Sequence, residues 1–314
     1  MKVAVRLEHQ VSAFRLAERQ LAALAARYPT LDFVRCVSAE DFLAELGEAA
    51  AALVWHFEAN WYARSPLLEF VATPAAGREL VAPDPSGRVR HLHGSFHGKI
   101  MAETLVGMVT FWARRFDLAE EQQRERRWDR EAFSSTRRVA GQTALVVGFG
   151  ALGRHCAASL KALGMRVVGV KRNPDVDVAP ADAIRPASEL LQLLAEADHV
   201  VVTLPGDTGA DRLFDARAFA AMREHAYLYN LGRGNVVDER ALVDALVQGR
   251  IAGAFLDVFA SEPLPADSPL WNAPRLRLSP HAAAINREYL ELWLEELAPE
   301  LERLARGRGG RAGT

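Results

Sequence analysis

The 314 residues carry a formal net charge of −2; half are apolar and a quarter are charged. That balance describes a globular chain with no electrostatic footprint for nucleic acid, and no apolar run approaches the roughly 18–20 residues that a membrane span needs. The length exceeds one ordinary core, so two domains are expected, and the two cysteines, Cys36 and Cys156, build no disulfide framework and fit a reducing cytoplasm.

The chain runs directly into a strand at residues 3–7, without the layout of a signal peptide. Residues 14–27 read as the helix that follows. Residues 53–57 and 68–72 read as further strands, ahead of a loop that ends at Ala76 and Gly77. A long helix is expected from near Lys99 toward Arg115, and the charged segment 120–131 reads as a solvated helix or connector.

The most informative stretch is Thr143-Ala-Leu-Val-Val-Gly-Phe-Gly-Ala-Leu-Gly153. An apolar, β-prone run enters a Gly-x-Gly-x-x-Gly turn and leaves as an alanine-rich helix; Gly164 stops that helix, and residues 166–170 read as a second strand. Strand, glycine turn, helix and strand in this order predict a dinucleotide site. Gly148 makes the tight turn, Gly150 admits the pyrophosphate, Gly153 lets helix and strand pack closely, and the helix start at Ala151 and Leu152 offers N–H groups to phosphate. Cys156, in that helix, reads as packing. Strands continue at residues 199–203, 226–230, 253–258 and 276–279. Between them, Asp238 caps a helix that Gly249 stops. An amphipathic helix covers 287–306, and the tail from Gly307 to Thr314 is expected to be disordered.

Ligands of parallel sheets bind outside the carboxyl ends of the strands. Three chemically capable side chains fall there on three separate strands: Arg233, Glu262 and His281. A guanidinium fork can hold a carboxylate and polarise an adjacent carbonyl. A histidine can exchange a proton with the reacting oxygen, and a glutamate can orient it.

From Gly148 to His281 the chain resembles the D-isomer-specific 2-hydroxyacid dehydrogenase family. The landmarks are the glycine turn above, Val201-Val-Thr-Leu-Pro205, Asn230-Leu-Gly-Arg-Gly-Asn-Val-Val-Asp-Glu-Arg-Ala-Leu242, Ala254-Phe-Leu-Asp-Val-Phe-Ala-Ser-Glu-Pro263 and Ser279-Pro-His281. The resemblance implies an enzyme in which NAD(P)H reduces a 2-oxo acid to the D-2-hydroxy acid. Arg233 would bind the substrate carboxylate and carbonyl, His281 would be the general acid, and Glu262 its orienting partner. Asp257 would lie close to the nicotinamide. Leu204, Pro205, Leu231 and Gly232 would touch the cofactor through backbone, and the Ala76-Gly77 turn would supplement Arg233 at the carboxylate. The implied fold is a doubly wound parallel-sheet (Rossmann) domain, residues 101–283, inserted into a smaller flavodoxin-like α/β substrate domain, residues 1–100 plus 284–314. A hinge between them and a homodimer are implied with it.

Two details narrow this expectation. The second strand ends Val170-Lys171-Arg172-Asn173, with no acid until Asp175. An acid there would take the ribose 2′-OH and repel a 2′-phosphate, whereas Lys171 and Arg172 can pair with one, so NADP(H) is favoured over NAD(H). The run from Asp257 to Trp271, the segment Pro280-His-Ala-Ala-Ala-Ile285 and Leu53-Val-Trp-His56 look like the glyoxylate/hydroxypyruvate reductase branch, which points to a small 2-oxo acid. Lys171-Arg172 departs from that branch, as does the aromatic loop after residue 55. Trp55, Phe57, Trp61 and Tyr62 either wall a pocket for a bulkier substituent or belong to the core. The rival readings are another dehydrogenase of the superfamily, acting on phosphoglycerate or D-lactate, and a dinucleotide-sensing binding protein. A formate dehydrogenase is disfavoured by Glu262. His91, His93 and His97 are read as a loop cluster near the hinge, with no Cys or acidic partner, and no metal is expected.

Overall fold

The computed structural model describes residues 1–206 and 209–307, so the tail from Arg308 onward lies outside the described residues. The chain forms two compact units, Met1–His97 with Ile285–Thr314, and Gly98–Ala284.

The first unit is a five-stranded sheet of β1 (Lys2–Arg6), β2 (Asp32–Arg35), β3 (Ala49–Val54), β4 (Phe70–Thr73) and β5 (Arg90–His93), in the order β2-β1-β3-β4-β5. All its pairings are parallel, and the order is that of flavodoxin-like sheets. β3 is buried along its whole length, which explains its continuous run of small apolar residues. Two helices follow β1 and β2: α1 (Glu18–Arg27) and α2 (Ala39–Glu45). Ser38 caps α2, accepting from the Asp41 amide at 3.0 Å while Asp41 accepts from the Ser38 amide at 3.1 Å.

Three local expectations are corrected here. The helix expected over residues 14–27 begins only at Glu18, and Ser12–Phe14 forms a separate 3₁₀ turn. The Phe14 carbonyl is taken by the Trp55 indole N–H at 3.0 Å, which holds this turn out of the helix. The third strand starts and ends earlier than expected, because the alanines from Ala49 pair with β1. His91 and His93 stand in β5, paired with Val71 and Thr73, and not in a loop.

The second unit contains β6 (Thr143–Val147), β7 (Arg166–Lys171), β8 (Ala183–Pro186), β9 (His199–Val202), β10 (Tyr227–Asn230), β11 (Gly253–Leu256) and β12 (Leu276–Leu278). Its sheet order is β12-β11-β10-β9-β6-β7-β8, parallel throughout. The order reverses between β6 and β9, the topological switch point of a doubly wound sheet. Its helices are α3 (His97–Ala113), α4 (Phe116–Glu125), α5 (Ala151–Ala162), α6 (Leu190–Leu194), α7 (Ala216–Ala221) and α8 (Glu239–Val247). One apolar core joins the sheet to α6, α7 and α8, and a second joins it to α3 and α5. Both faces are therefore covered. The last helix, α9 (Tyr289–Ala305), returns to the first unit. Among the described residues no helix is long and apolar enough to cross a membrane.

One buried titratable group sits in the second core. His199 opens β9, its Nδ1 2.9 Å from the Tyr229 hydroxyl and its Nε2 2.6 Å from Oε1 of Gln142. The neutral ring satisfies both contacts, since Gln142 Oε1 only accepts and the Tyr229 hydroxyl can donate. Burial pushes the His199 pKa down to about 4. The unfolded imidazole protonates near pH 6.5, so between these values the unfolded state binds more protons and stability falls as pH is lowered through the window. The loss should total on the order of 3 kcal/mol by pH 4. Urea midpoints of wild type and His199→Gln at pH 7 and pH 5 measure it; equal pH slopes in the two proteins would rule it out.

Candidate active site

The three strand exits that carry Arg233, Glu262 and His281 are neighbours in the sheet, since β10, β11 and β12 are consecutive. Arg233 stands in the turn after β10. The buried Asn230 amide shapes that turn, accepting from the Gly232 N–H at 3.1 Å and donating to the Arg233 carbonyl at 3.0 Å. Gly234 follows, and a Cβ there would lie 1.9 Å from the Phe259 carbonyl carbon. No larger residue fits, so the Arg233 turn seats directly on the chain leaving β11.

That chain carries Glu262. One carboxylate oxygen accepts from the Phe259 amide at 3.0 Å, and the other lies 2.8 Å from Nδ1 of His281. Because an ionised carboxylate can only accept, Nδ1 is the protonated nitrogen and Nε2 is left for a ligand. His281 itself has φ of +53°, a left-handed conformation that strains most side chains. Asp257 holds it there. Its carbonyl accepts from the His281 amide at 2.8 Å, and its buried carboxylate accepts from Ala282 at 2.8 Å and Ala283 at 3.0 Å. The acid that the resemblance places near a nicotinamide is thus also the anchor of the His281 loop.

The glycine turn lies on β6, beside β9 at the switch point. Gly148 has φ of +103°, and a Cβ there would meet the Leu204 nitrogen at 2.9 Å. A Cβ on Gly232 would meet the Leu204 oxygen at 2.5 Å. The exits of β6, β9 and β10 therefore approach backbone to backbone, bringing Gly148, Leu204 and Gly232 together, with Leu231 buried beneath. Gly153 packs α5 onto the turn, a Cβ there falling 2.3 Å from the Gly148 oxygen. Gly150 is different: nothing stands within 4 Å of a Cβ built on it. Gly150 is also the N-cap of α5 and supplies no side-chain acceptor to that helix start. The open face and the uncapped amides of Ala151, Leu152 and Gly153 fit a dinucleotide pyrophosphate.

Lys171 ends β7, next to Val170, whose carbonyl accepts from Gly148 at 3.1 Å and Phe149 at 3.3 Å. Neither Lys171 nor the exposed Arg172 forms an ion pair among the described residues. In the first unit, the amides of Ala76 and Gly77 donate to no backbone acceptor among the described residues. Trp55 is half-buried and packs on Phe14, whereas Phe57, Trp61 and Tyr62 are 0%, 7% and 7% exposed and belong to the core. His91 Nε2 meets the Tyr62 hydroxyl at 2.8 Å, and His97 Nε2 meets that of Tyr289 at 2.7 Å. No group of three metal-ligating side chains occurs among the described residues. Burial pushes the Cys156 thiol up to about 12, so it stays protonated.

Residues 106–283 match the sequence family described as D-isomer specific 2-hydroxyacid dehydrogenase, NAD binding domain. The chain belongs to the D-isomer-specific 2-hydroxyacid dehydrogenase family. It is 34% identical over 290 residues to D-3-phosphoglycerate dehydrogenase of Mycobacterium tuberculosis, covering 88% of this chain and 53% of that protein. The chain thus spans about half the length of that curated relative. Glyoxylate/hydroxypyruvate reductase A of Escherichia fergusonii is 32% identical over 256 residues, 75% of this chain and 77% of the relative. Among solved structures, a D-isomer specific 2-hydroxyacid dehydrogenase from Xanthobacter autotrophicus, in complex with NADPH and MES, superposes with a TM-score of 0.77. It is 28% identical and covers 98% of this chain and 95% of its own.

Two residues of this candidate site, Asn230 and Glu239, carry no sequence mark beyond their place in the segment Asn230–Leu242. Glu239 opens α8 and accepts from the Ala260 amide at 2.7 Å, tying α8 to the loop that carries Glu262. The one sequence signal was an acid in the first turn of a capped helix, which the helix dipole alone would explain. Glu239→Ala is expected to cost about 1–2 kcal/mol and to speed hydrogen exchange at Ala260, while Glu239→Gln keeps an acceptor and behaves like wild type. Unchanged exchange in the alanine variant would show that the carboxylate does not hold this loop.

Proposed function

We propose that this chain uses NAD(P)H to reduce a small 2-oxo acid, of the glyoxylate or hydroxypyruvate kind, to the D-2-hydroxy acid. The observation that carries the reading is the 2.8 Å contact between Glu262 and Nδ1 of His281, on strand exits adjacent to the Arg233 turn. A bound nicotinamide would supply the hydride. Arg233 binds the substrate carboxylate and draws electron density toward the carbonyl oxygen, an effect that strengthens as negative charge develops there. Glu262 holds Nδ1–H, so in its imidazolium form His281 carries a second proton on Nε2, which it gives to the oxygen that becomes the hydroxyl, returning to the neutral ring. Asp257, with its carboxylate engaged by two amides, keeps the His281 ring on station. The amides of Ala76 and Gly77 are proposed as a second carboxylate-binding element.

NADP(H) is the favoured cofactor. The end of β7 offers two cations without ion-pair partners among the described residues and no acid until Asp175, a composition that suits a 2′-phosphate. A relative solved with NADPH supports the same choice. Self-association is also proposed, through α3 and the turn that follows it, a segment in which Glu103, Gly107 and Arg114 are exposed. Opposite charges at its two ends would pair across a twofold axis, with Gly107 allowing close approach.

His281→Ala should reduce kcat by at least about a thousandfold and leave NADPH binding, followed by fluorescence, within a factor of two or so. Undiminished turnover would remove His281 from proton transfer. Neutralising Lys171 and Arg172 together should raise the KM for NADPH by about ten- to a hundredfold and leave NADH nearly unaffected. Equal losses for both cofactors would dispose of the phosphate clamp.

A further inference from the structure

The first unit has its own topological switch point. In the order β2-β1-β3-β4-β5 the chain direction of build-up reverses between β1 and β3, and the crevice outside their carboxyl ends is where such sheets bind ligands. Arg6 is the last residue of β1 and is paired in register with Val54, the last residue of β3. It therefore stands at the mouth of that crevice.

Arg6 is half-buried, its Nε is buried without any hydrogen-bond partner, and no ion pair to it occurs among the described residues. The acids of the surrounding elements are engaged elsewhere. Glu45 and Glu48 bind Lys2 at 2.6 and 2.7 Å, and Asp41 caps the Ser38 amide. Glu8 binds Arg35 at 2.6 Å, and Glu58 lies 3.6 Å from His56. A cation withdrawn from water with no partner is costly unless a ligand completes it. Lys2, at the opposite end of the same strand, shows the alternative, with two carboxylates on one ammonium.

We infer that Arg6 forms an oxyanion site at the β1/β3 switch point, accepting a carboxylate, phosphate or sulfonate. The anion has two sources: the distal group of a dianionic 2-oxo acid, or a separate anion. The first source rests on the reductase reading; the site itself does not.

The test uses the full chain saturated with NADPH, so that the glycine turn and the Lys171–Arg172 pair are occupied. Inorganic phosphate is titrated calorimetrically into wild type, Arg6→Met and Arg6→Lys. Phosphate affinity should fall about ten- to a hundredfold in the methionine variant and recover in part with lysine. Equal affinity in all three overturns the site. Without phosphate, Arg6→Met should match or exceed the wild-type Tm, because no pair is lost; a marked drop would reveal a partner within the fold and overturn the proposal. Kinetics then separate the sources. A KM rise of about ten- to a hundredfold for oxaloacetate or 3-phosphohydroxypyruvate, with glyoxylate unchanged, assigns the site to the substrate. Unchanged KM for all acids, with phosphate binding lost, assigns it to a separate anion. Wild type that turns over no 2-oxo acid would defeat the reductase reading and leave the phosphate titration to decide Arg6.

Discussion

The candidate site depends on the carboxylate of Asp257. It is fully buried at the end of β11, where an ionised group is tolerated only if hydrogen bonds replace water. The Ala282 and Ala283 amides do so. Those amides belong to the loop after β12, so satisfying one acid fixes a neighbouring strand's exit. His281 is carried into a left-handed backbone conformation by the same loop, at a cost on the order of 1–2 kcal/mol that charge-assisted bonds offset. The histidine is placed by a carboxylate that need not touch the substrate.

The same economy links the other exits. Asn230 folds the Arg233 turn, Gly234 lets that turn lie against Phe259, and Glu239 reaches across to Ala260. Phe259 in turn gives its amide to Glu262. Each contact joins two adjacent strand exits, so Arg233, Glu262 and His281 are held by parts that also hold one another. Rigid placement of this kind is what electrostatic catalysis requires, since dipoles that must reorient during reaction contribute less.

Patterns carried by backbone geometry were legible in the sequence. The glycines at 148 and 153 announce a turn because a Cβ at either would run into neighbouring backbone, Gly150 leaves the helix start open, and Asp238 and Gly249 mark the ends of α8 because helix termini need those residues. The trio was legible as residues following strands. What stayed hidden depends on contacts distant in sequence. Phe57, Trp61 and Tyr62 carry no local mark that separates a pocket wall from a core, and tertiary burial decided for the core. The strand His91 belongs to is only four residues long, and Leu92 is its single apolar residue, so it carries no alternation that would mark it as a strand. Asp257 and Glu239 look like ordinary acids until the amides they bind are seen.

Charge is paired unevenly along the two sheets. Several charges at the amino ends are matched: Lys2 with Glu45 and Glu48, Asp182 with Lys161, and Asp198 with His225 and Arg223. Arg35 shows that a carboxyl end can be matched too, through Glu8 and Glu18. Yet beside the switch points Arg6, Lys171 and Arg172 have no ion-pair partners among the described residues. Folding alone would favour the paired arrangement, because an unpartnered half-buried cation contributes nothing to stability. Leaving cations uncompensated where parallel sheets bind ligands makes those edges attractive to anions, and the anion completes a pairing that the rest of the fold has already made for itself.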